Sequence, residues 1–389
     1  MISKIGSVAH SVKLYIMKED VVGVHKTGGR GLRIVFLMVF PTVLVCLMIL
    51  EIGLRVIGRV PSNTSDGIFE KYNNSYRLKK NTTKVSRTPV YSCIIHINEL
   101  GFRDKASGSR KLGPEPFDLF LGESLTFGNG LDYDETFVGL YAQSMKSRGT
   151  DVVNLAIGGH KFLDQEDLFR DFSRTATQMP SRVIVCFSPL LIDGFDRPYT
   201  DIVIKNGYIF QKGNWLIPYI RIVLGNTSSA YCFFRDNIRK IQARVSNYNL
   251  AVARELMSFY AKNNRLAEPS VAERLEASLD RLDGLIDGVR ANPIYVYLPL
   301  STDFMLEDLV RQAGSDPNDY DVLFYYKLLE KHCQKRGIPL INVSPALEKL
   351  FRDGQVLNFV RDAHYNAAAS RVITESIIQE MQDQGVLRK

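Results

Sequence analysis

Two short stretches far apart in the chain carry residue types that could do nucleophilic chemistry together. Gly122-Glu123-Ser124 follows the apolar run 117–121 (FDLFL) and precedes a helix-like segment. A serine on such a strand-to-helix turn holds its hydroxyl clear of the backbone. Gly122 permits the tight turn, and the positive end of the following helix faces the same point. The hydroxyl becomes a nucleophile when a base can take its proton; a lone Gly-x-Ser is equally a helix cap. Asp362-Ala363-His364 stands just before a final amphipathic stretch, in RDAHYNAAASRVI. An aspartate two residues from a histidine can fix the imidazole tautomer that accepts a serine proton. A third stretch, NLAIGGHKFLDQE, puts Gly158 and Gly159 just after the run 151–155. Slim backbone N–H groups at a strand end suit an oxyanion hole, and a plain glycine turn has the same sequence. His160 is a second candidate base, ranked below His364 because no carboxylate adjoins it.

A sheet must bring these stretches together. Runs at 117–121, 151–155 (DVVNL), 183–187 (VIVCF), 294–298 (IYVYL) and 339–343 (PLINV) are short, apolar and rich in β-branched or aromatic residues. They alternate with helix-like stretches at 134–147, 164–178, 251–290, 320–336 and 366–384. That alternation predicts an α/β fold, a parallel sheet covered by helices on both faces. In such a sheet the loop before the last helix lies on the same edge as the end of the first strand, where ligands bind. The interval of about 105 residues between the third and fourth runs is too long for one crossover and predicts an insertion at about 197–290. Its part at 197–245 mixes aromatic and basic residues, among them Tyr199, Trp215, Tyr219, Phe233, Phe234 and Arg235. It fits a lid, a substrate surface, a membrane-facing patch, or a packed subdomain with a basic solvent face.

Composition bounds the rest. With 389 residues, 45% hydrophobic and 23% charged, the chain can bury a core; wholesale disorder, collagen-like repeats and a polytopic membrane protein are excluded. Five cysteines without a Cys-x-x-Cys spacing imply neither a zinc site nor a dense disulfide framework. The mean hydropathy of −0.07 averages over one exception. Residues 34–50 run for 17 positions without a charge, and 52–57 continue the apolar character past Glu51. A bilayer core needs roughly 20 helical residues, so 34–57 reads as one transmembrane helix. About thirty residues precede it, which fits a signal anchor rather than a cleaved signal peptide. Lys18, Lys26, Arg30 and Arg33 on the near side, against Arg55 and Arg59 on the far side, predict a cytoplasmic tail over 1–33 and an exported body. Residues 58–90, polar and with sequons at Asn63, Asn73 and Asn81, read as a stalk before a catalytic domain over 91–389. Much of the net charge of +7 lies beside the apolar run, where phosphate head groups are its counter-charge. No nucleic-acid recognition motif is present.

The three stretches together resemble the SGNH/GDSL hydrolase family, over most of 98–385. Gly122-Glu123-Ser124-Leu125-Thr126-Phe127-Gly128 is similar to its first block, Asn154-Leu155-Ala156-Ile157-Gly158-Gly159 to its second, and Asp362-Ala363-His364 to its last. Asn98-Glu99-Leu100-Gly101-Phe102-Arg103 looks like the segment before the core in membrane-anchored members. The resemblance implies a flavodoxin-like three-layer α/β/α sandwich, a Ser124–His364–Asp362 triad, and hydrolysis or transfer of acyl esters without metal or cofactor. Ser124 N–H and Gly159 N–H would bind the oxyanion. A membrane-anchored member would act on an acylated cell-surface glycan or lipid. Two departures stand out. Glu123 replaces the usual aspartate, and Phe187-Ser188-Pro189-Leu190-Leu191-Ile192-Asp193 lacks the third block's asparagine, leaving Ser188 as the substitute donor. Losing one oxyanion donor costs on the order of 10²–10³ in rate, so the rival expectation is a silent member that binds a glycan or protein.

Overall fold

The computed structural model describes residues 28–62, 67–73, 75–88, 90–107, 112, 116–192, 195, 202–245, 257–258, 260–264, 268–359 and 362–387. Of the positions named above, the tail up to residue 27, Asn63, Asp193 and Tyr199 lie outside the described residues. The chain divides into two compact units, 1–58 and 59–389. The first holds α1 (Gly28–Val56), whose stretch Leu37–Val56 is long and apolar enough to cross a membrane. Pro41 sits inside this helix without ending it.

In the second unit the chain runs through β1 (Phe69–Tyr72), β2 (Ser75–Leu78), β3 (Thr82–Arg87), β4 (Ser92–Ile97), β5 (Arg103–Asp104), β6 (Phe117–Leu121), α2 (Ser124–Phe127), α3 (Phe137–Lys146), β7 (Asp151–Asn154) and α4 (Phe162–Thr175). It continues through β8 (Arg182–Phe187), α5 (Pro189–Ile192), β9 (Ile202–Lys205), β10 (Tyr208–Gln211), α6 (Leu216–Thr227), α7 (Ser229–Val245) and α8 (Pro269–Gly288). The last elements are β11 (Asn292–Tyr297), α9 (Leu306–Gln312), α10 (Phe324–Arg336), β12 (Leu340–Asn342), α11 (Ser344–Arg352) and α12 (Ala367–Asp383).

The main sheet has the order β12-β11-β8-β6-β7-β5-β4-β3. Its five parallel strands are the five apolar runs of the sequence, arranged in the flavodoxin-like order 2-1-3-4-5. The order reverses at β6, the strand that leads into Gly122 and Ser124. Both faces of the sheet are covered, so the central strands are largely apolar, the buried Asp118 of β6 being paired with Arg182 of β8 at 2.7 Å. On one face Phe117, Leu119 and Leu121 join Val183, Val185, Phe169 of α4 and Leu329 of α10. On the other, Phe120 and Ile184 join Tyr141 of α3 and Ile373 and Ile377 of α12.

Two boundaries differ from the sequence reading. Residues 60–90 are not an irregular stalk: β1 and β2 form an antiparallel hairpin, and β3 and β4 extend the sheet. Ile68, Tyr76 and Leu78 pack with Ile95, Ile97, Phe127, Ala156 and Ile157 in a third apolar cluster, beneath the loops of the first two sequence blocks. Each strand is short and at most half buried: β2 and β4 bury alternate residues, β3 buries only Thr82 and Ser86, and β1 buries none fully. The insertion also ends earlier than 290. Val271, Leu275, Leu279, Leu282 and Ile286 repeat at helical spacing along α8 and are buried in the first core face, so α8 is a crossover helix of the sandwich.

Candidate active site

The turn after β6 is fixed from several sides. Gln165 of α4 clamps Gly122, accepting its N–H at 3.1 Å and donating to its carbonyl at 2.7 Å. A Cβ on Gly122 would lie 2.2 Å from Thr126 Oγ1, so glycine is required there. Ser124 then opens α2, a single turn that ends at Gly128 in the left-handed region, φ 82°. One turn carries little of the helix-end field expected behind Ser124. The loop beyond is held by Arg103, wholly buried, whose guanidinium donates to the carbonyls of Phe127, Gly128 (2.7 Å) and Leu131 and lies over the Phe127 ring. Asn129 sits in the middle of that fastened loop. The Asn98 carboxamide in turn shapes the strand connection before Arg103, accepting from Leu100 N–H and Phe102 N–H at 3.0 Å each.

At the other end of the chain, Asp362 Oδ1 accepts from His364 Nδ1 at 2.5 Å and from His364 N–H at 2.9 Å. A carboxylate only accepts, so Nδ1 carries the proton and Nε2 presents its lone pair. Burial opposes ionisation of Asp362, but the hydrogen bonds and charge of His364 outweigh it and hold the carboxyl below its usual range. The loop is braced by Asn358 Nδ2, which donates to the Ala363 carbonyl at 2.6 Å, and by Tyr365, which donates to Pro299. Asn366 caps α12 by accepting from Ala369 N–H.

His364 Nε2 meets Asn129 Nδ2 at 3.3 Å. A Cβ built on Gly158 would lie 3.6 Å from both Asn129 Nδ2 and Ser124 Cβ. Ser124, Asn129, Gly158 and His364 therefore border one small space at the carboxyl edge of the sheet. Ser124, Asn129 and His364 are half-buried, and Gly159, left-handed at φ 83°, is exposed. Tyr76 supports this corner by donating its hydroxyl to the Gly158 carbonyl at 3.0 Å.

Glu123 changes what was expected of the serine. Its carboxylate Oε2 accepts from Ser124 N–H at 2.5 Å and from the Ser124 hydroxyl, while Oε1 accepts from Ser188 Oγ at 3.2 Å. The extra methylene of glutamate lets the side chain fold back onto the residue that follows it. Ser124 N–H and Ser188 Oγ, both expected at the oxyanion, thus face the Glu123 carboxylate. His160 is buried away from any base role. Its Nε2–H donates to the Tyr76 carbonyl at 2.8 Å, its ring sits edge-on to Tyr76, and burial lowers its pKa. Asn129 went unremarked in the sequence because glycines and polar residues after a helical turn ordinarily mark a loop.

No family model and no curated protein sequence matches the chain. Its structure is similar to solved lipolytic and esterase structures. One is a member of the lipolytic protein G-D-S-L family from Veillonella parvula DSM 2008, with 12% identity and a TM-score of 0.36, covering 68% of this chain and 96% of that one. Another is the psychrotrophic esterase EstA from Pseudoalteromonas sp., with 12% identity and a TM-score of 0.36, covering 70% and 100%. A third is a catalytic mutant of Axe2, an acetylxylan esterase from Geobacillus stearothermophilus, with 11% identity and a TM-score of 0.38, covering 70% and 96%. Overlaps this loose carry no weight for chemistry, which rests on the side chains of this chain.

Proposed function

We propose that the chain is a membrane-anchored serine esterase or acyltransferase that forms an acyl-enzyme on Ser124. The observation that carries this reading is the Asp362–His364 pair, whose imidazole Nε2 meets the Asn129 side chain beside Ser124 and Gly158. Ser124 Oγ turns from Glu123 toward His364, gives its proton to Nε2 and attacks the ester carbonyl. Asn129 Nδ2–H and Gly159 N–H donate to the oxyanion, Asn129 taking the part of the absent third-block asparagine. As the tetrahedral intermediate collapses, imidazolium His364 gives that proton to the leaving alkoxide. Water or an acceptor alcohol, deprotonated by His364, then attacks the acyl group, and Ser124 regains its proton. Helix α1 anchors the chain, with 1–33 on the cytoplasmic side and the body outside the cytoplasm, where an acylated surface glycan or lipid is the expected substrate.

Glu123 favours a second reading, a protein that keeps the fold and binds without turnover, because its carboxylate occupies both donors of Ser124. A fluorophosphonate probe distinguishes the two. Labelling of the wild type and not of Ser124→Ala supports the enzyme; a folded wild type that stays unlabelled leaves the binding protein.

A further inference from the structure

Among the described residues, the rest of the insertion is a β-hairpin, β9–β10, which packs on the third apolar cluster, followed by the helix pair α6 and α7. On α6, Leu216, Ile217, Ile220, Val223 and Leu224 fall on one face and are each more than a third exposed. Phe233, Phe234 and Ile238 of α7 are exposed as well. A soluble surface seldom leaves so many large apolar side chains together. The same segment is strongly cationic: between residues 202 and 245 seven lysines and arginines stand against one acid, Asp236. Lys205, Lys212 and Arg221 are exposed. Trp215 begins α6, half-buried, with the Lys205 ammonium 5.3 Å from its ring centroid.

The chain just after α1 is fastened to this helix pair. Arg235 of α7 donates to the Ser62 carbonyl at 3.2 Å and to Ser62 Oγ at 2.9 Å, and Ser62 N–H donates to Cys232 Sγ at 3.4 Å. Ser62 is six residues beyond Val56, the last residue of α1. Covalent geometry alone limits six residues to about 20 Å. If α1 spans a bilayer, a tether of no more than that length joins its end to Ser62. An apolar helix face with basic neighbours and a tryptophan has the composition of an interfacial helix at an anionic leaflet.

We infer that the exposed face of α6 and α7 lies in the interface of the bilayer that α1 crosses, holding the body against anionic lipid. The inference rests on the anchor proposed for α1. Trp215 is the sole tryptophan of the chain, so its fluorescence reports on this face without substitution. The full chain is reconstituted into vesicles of phosphatidylcholine and phosphatidylglycerol carrying lipids brominated near the head group, and its anchor is tested by alkaline carbonate extraction. Retention of the chain with strong quenching of Trp215 by shallow bromines, reduced several-fold in Ile217→Asp/Ile220→Asp while that variant stays anchored, supports the surface. Retention with Trp215 unquenched by lipid but open to aqueous acrylamide overturns the surface and leaves the anchor standing. Retention with Trp215 shielded from both quenchers means that a second copy or another protein covers the face, and overturns it too. Release of the chain by carbonate overturns the anchor, and this inference with it.

Discussion

Among the described residues two aspartate–histidine pairs are hydrogen-bonded, and their surroundings differ. His332 Nε2 donates to Asp283 Oδ2 at 2.8 Å between α10 and α8, with the two side chains 1% and 0% exposed. Asp283 also accepts from the Tyr295 hydroxyl at 2.9 Å and lies 3.5 Å from Arg336 Nε. Its carboxylate is surrounded by donors, and no reactant can approach. Asp362–His364 has the same chemistry but is 22–23% exposed, at the carboxyl edge of the sheet, with its second ring nitrogen facing Asn129. The hydrogen bond makes neither pair a catalyst. Exposure at the sheet edge, with Asn129 and Ser124 close by, distinguishes the second pair, and the role proposed for His364 rests on that difference.

Exchanging the two histidines in turn is the sharpest way to break this contrast. His364→Ala should lower ester turnover by at least about 10⁴-fold with only a small shift of the urea midpoint, measured on the purified full chain. His332→Ala should do the reverse. It strips a buried carboxylate of a partner and should cost about 3–5 kcal/mol of stability, read by urea unfolding, while the folded fraction keeps its turnover. Equal losses of turnover in both variants would erase the distinction. Asn129→Ala tests the donor facing His364 and should reduce kcat by about 10²–10³-fold with little change in KM. Glu123→Asp shortens the arm that holds Ser124 and should speed fluorophosphonate labelling several-fold; slower labelling would mean that the glutamate assists the serine.

The smallest effect concerns acid. The Asp362 carboxyl is held below its ordinary value in the folded chain. A depressed carboxyl contributes stability that is complete above the unfolded value, about 3.9, and is lost as the pH falls through the lower folded value. The stability gap between wild type and Asp362→Asn should therefore persist from neutral pH to about 4 and narrow only below it. Urea unfolding at a series of pH values checks this, and narrowing near pH 6 would contradict it.

The five parallel strands were legible because a strand covered on both faces must be a short apolar run, and such runs stand out from amphipathic helices. Ser124, Asp362 and His364 were legible because each follows or precedes an element whose end the pattern marks. The strands within 60–90 were not. They are short, one-sided and largely polar, and their stability comes from packing under the Phe127 and Ala156 loops. Asn129 was hidden for a related reason: its place depends on Arg103 fastening carbonyls on either side of it.

By itself, the sequence determined the α/β alternation, one helix apolar enough to cross a membrane, and the residue types of a serine site at loop positions that a doubly wound sheet brings to one edge. Periodicity and chemical type are local properties, and local properties survive in a string of letters. Only the tertiary structure decided that Glu123 holds the Ser124 donors, that Asn129 faces His364, that His160 is a core residue, and that Ser188 turns toward Glu123. These contacts depend on side-chain placement and on partners brought in by the fold, which neither periodicity nor residue type specifies.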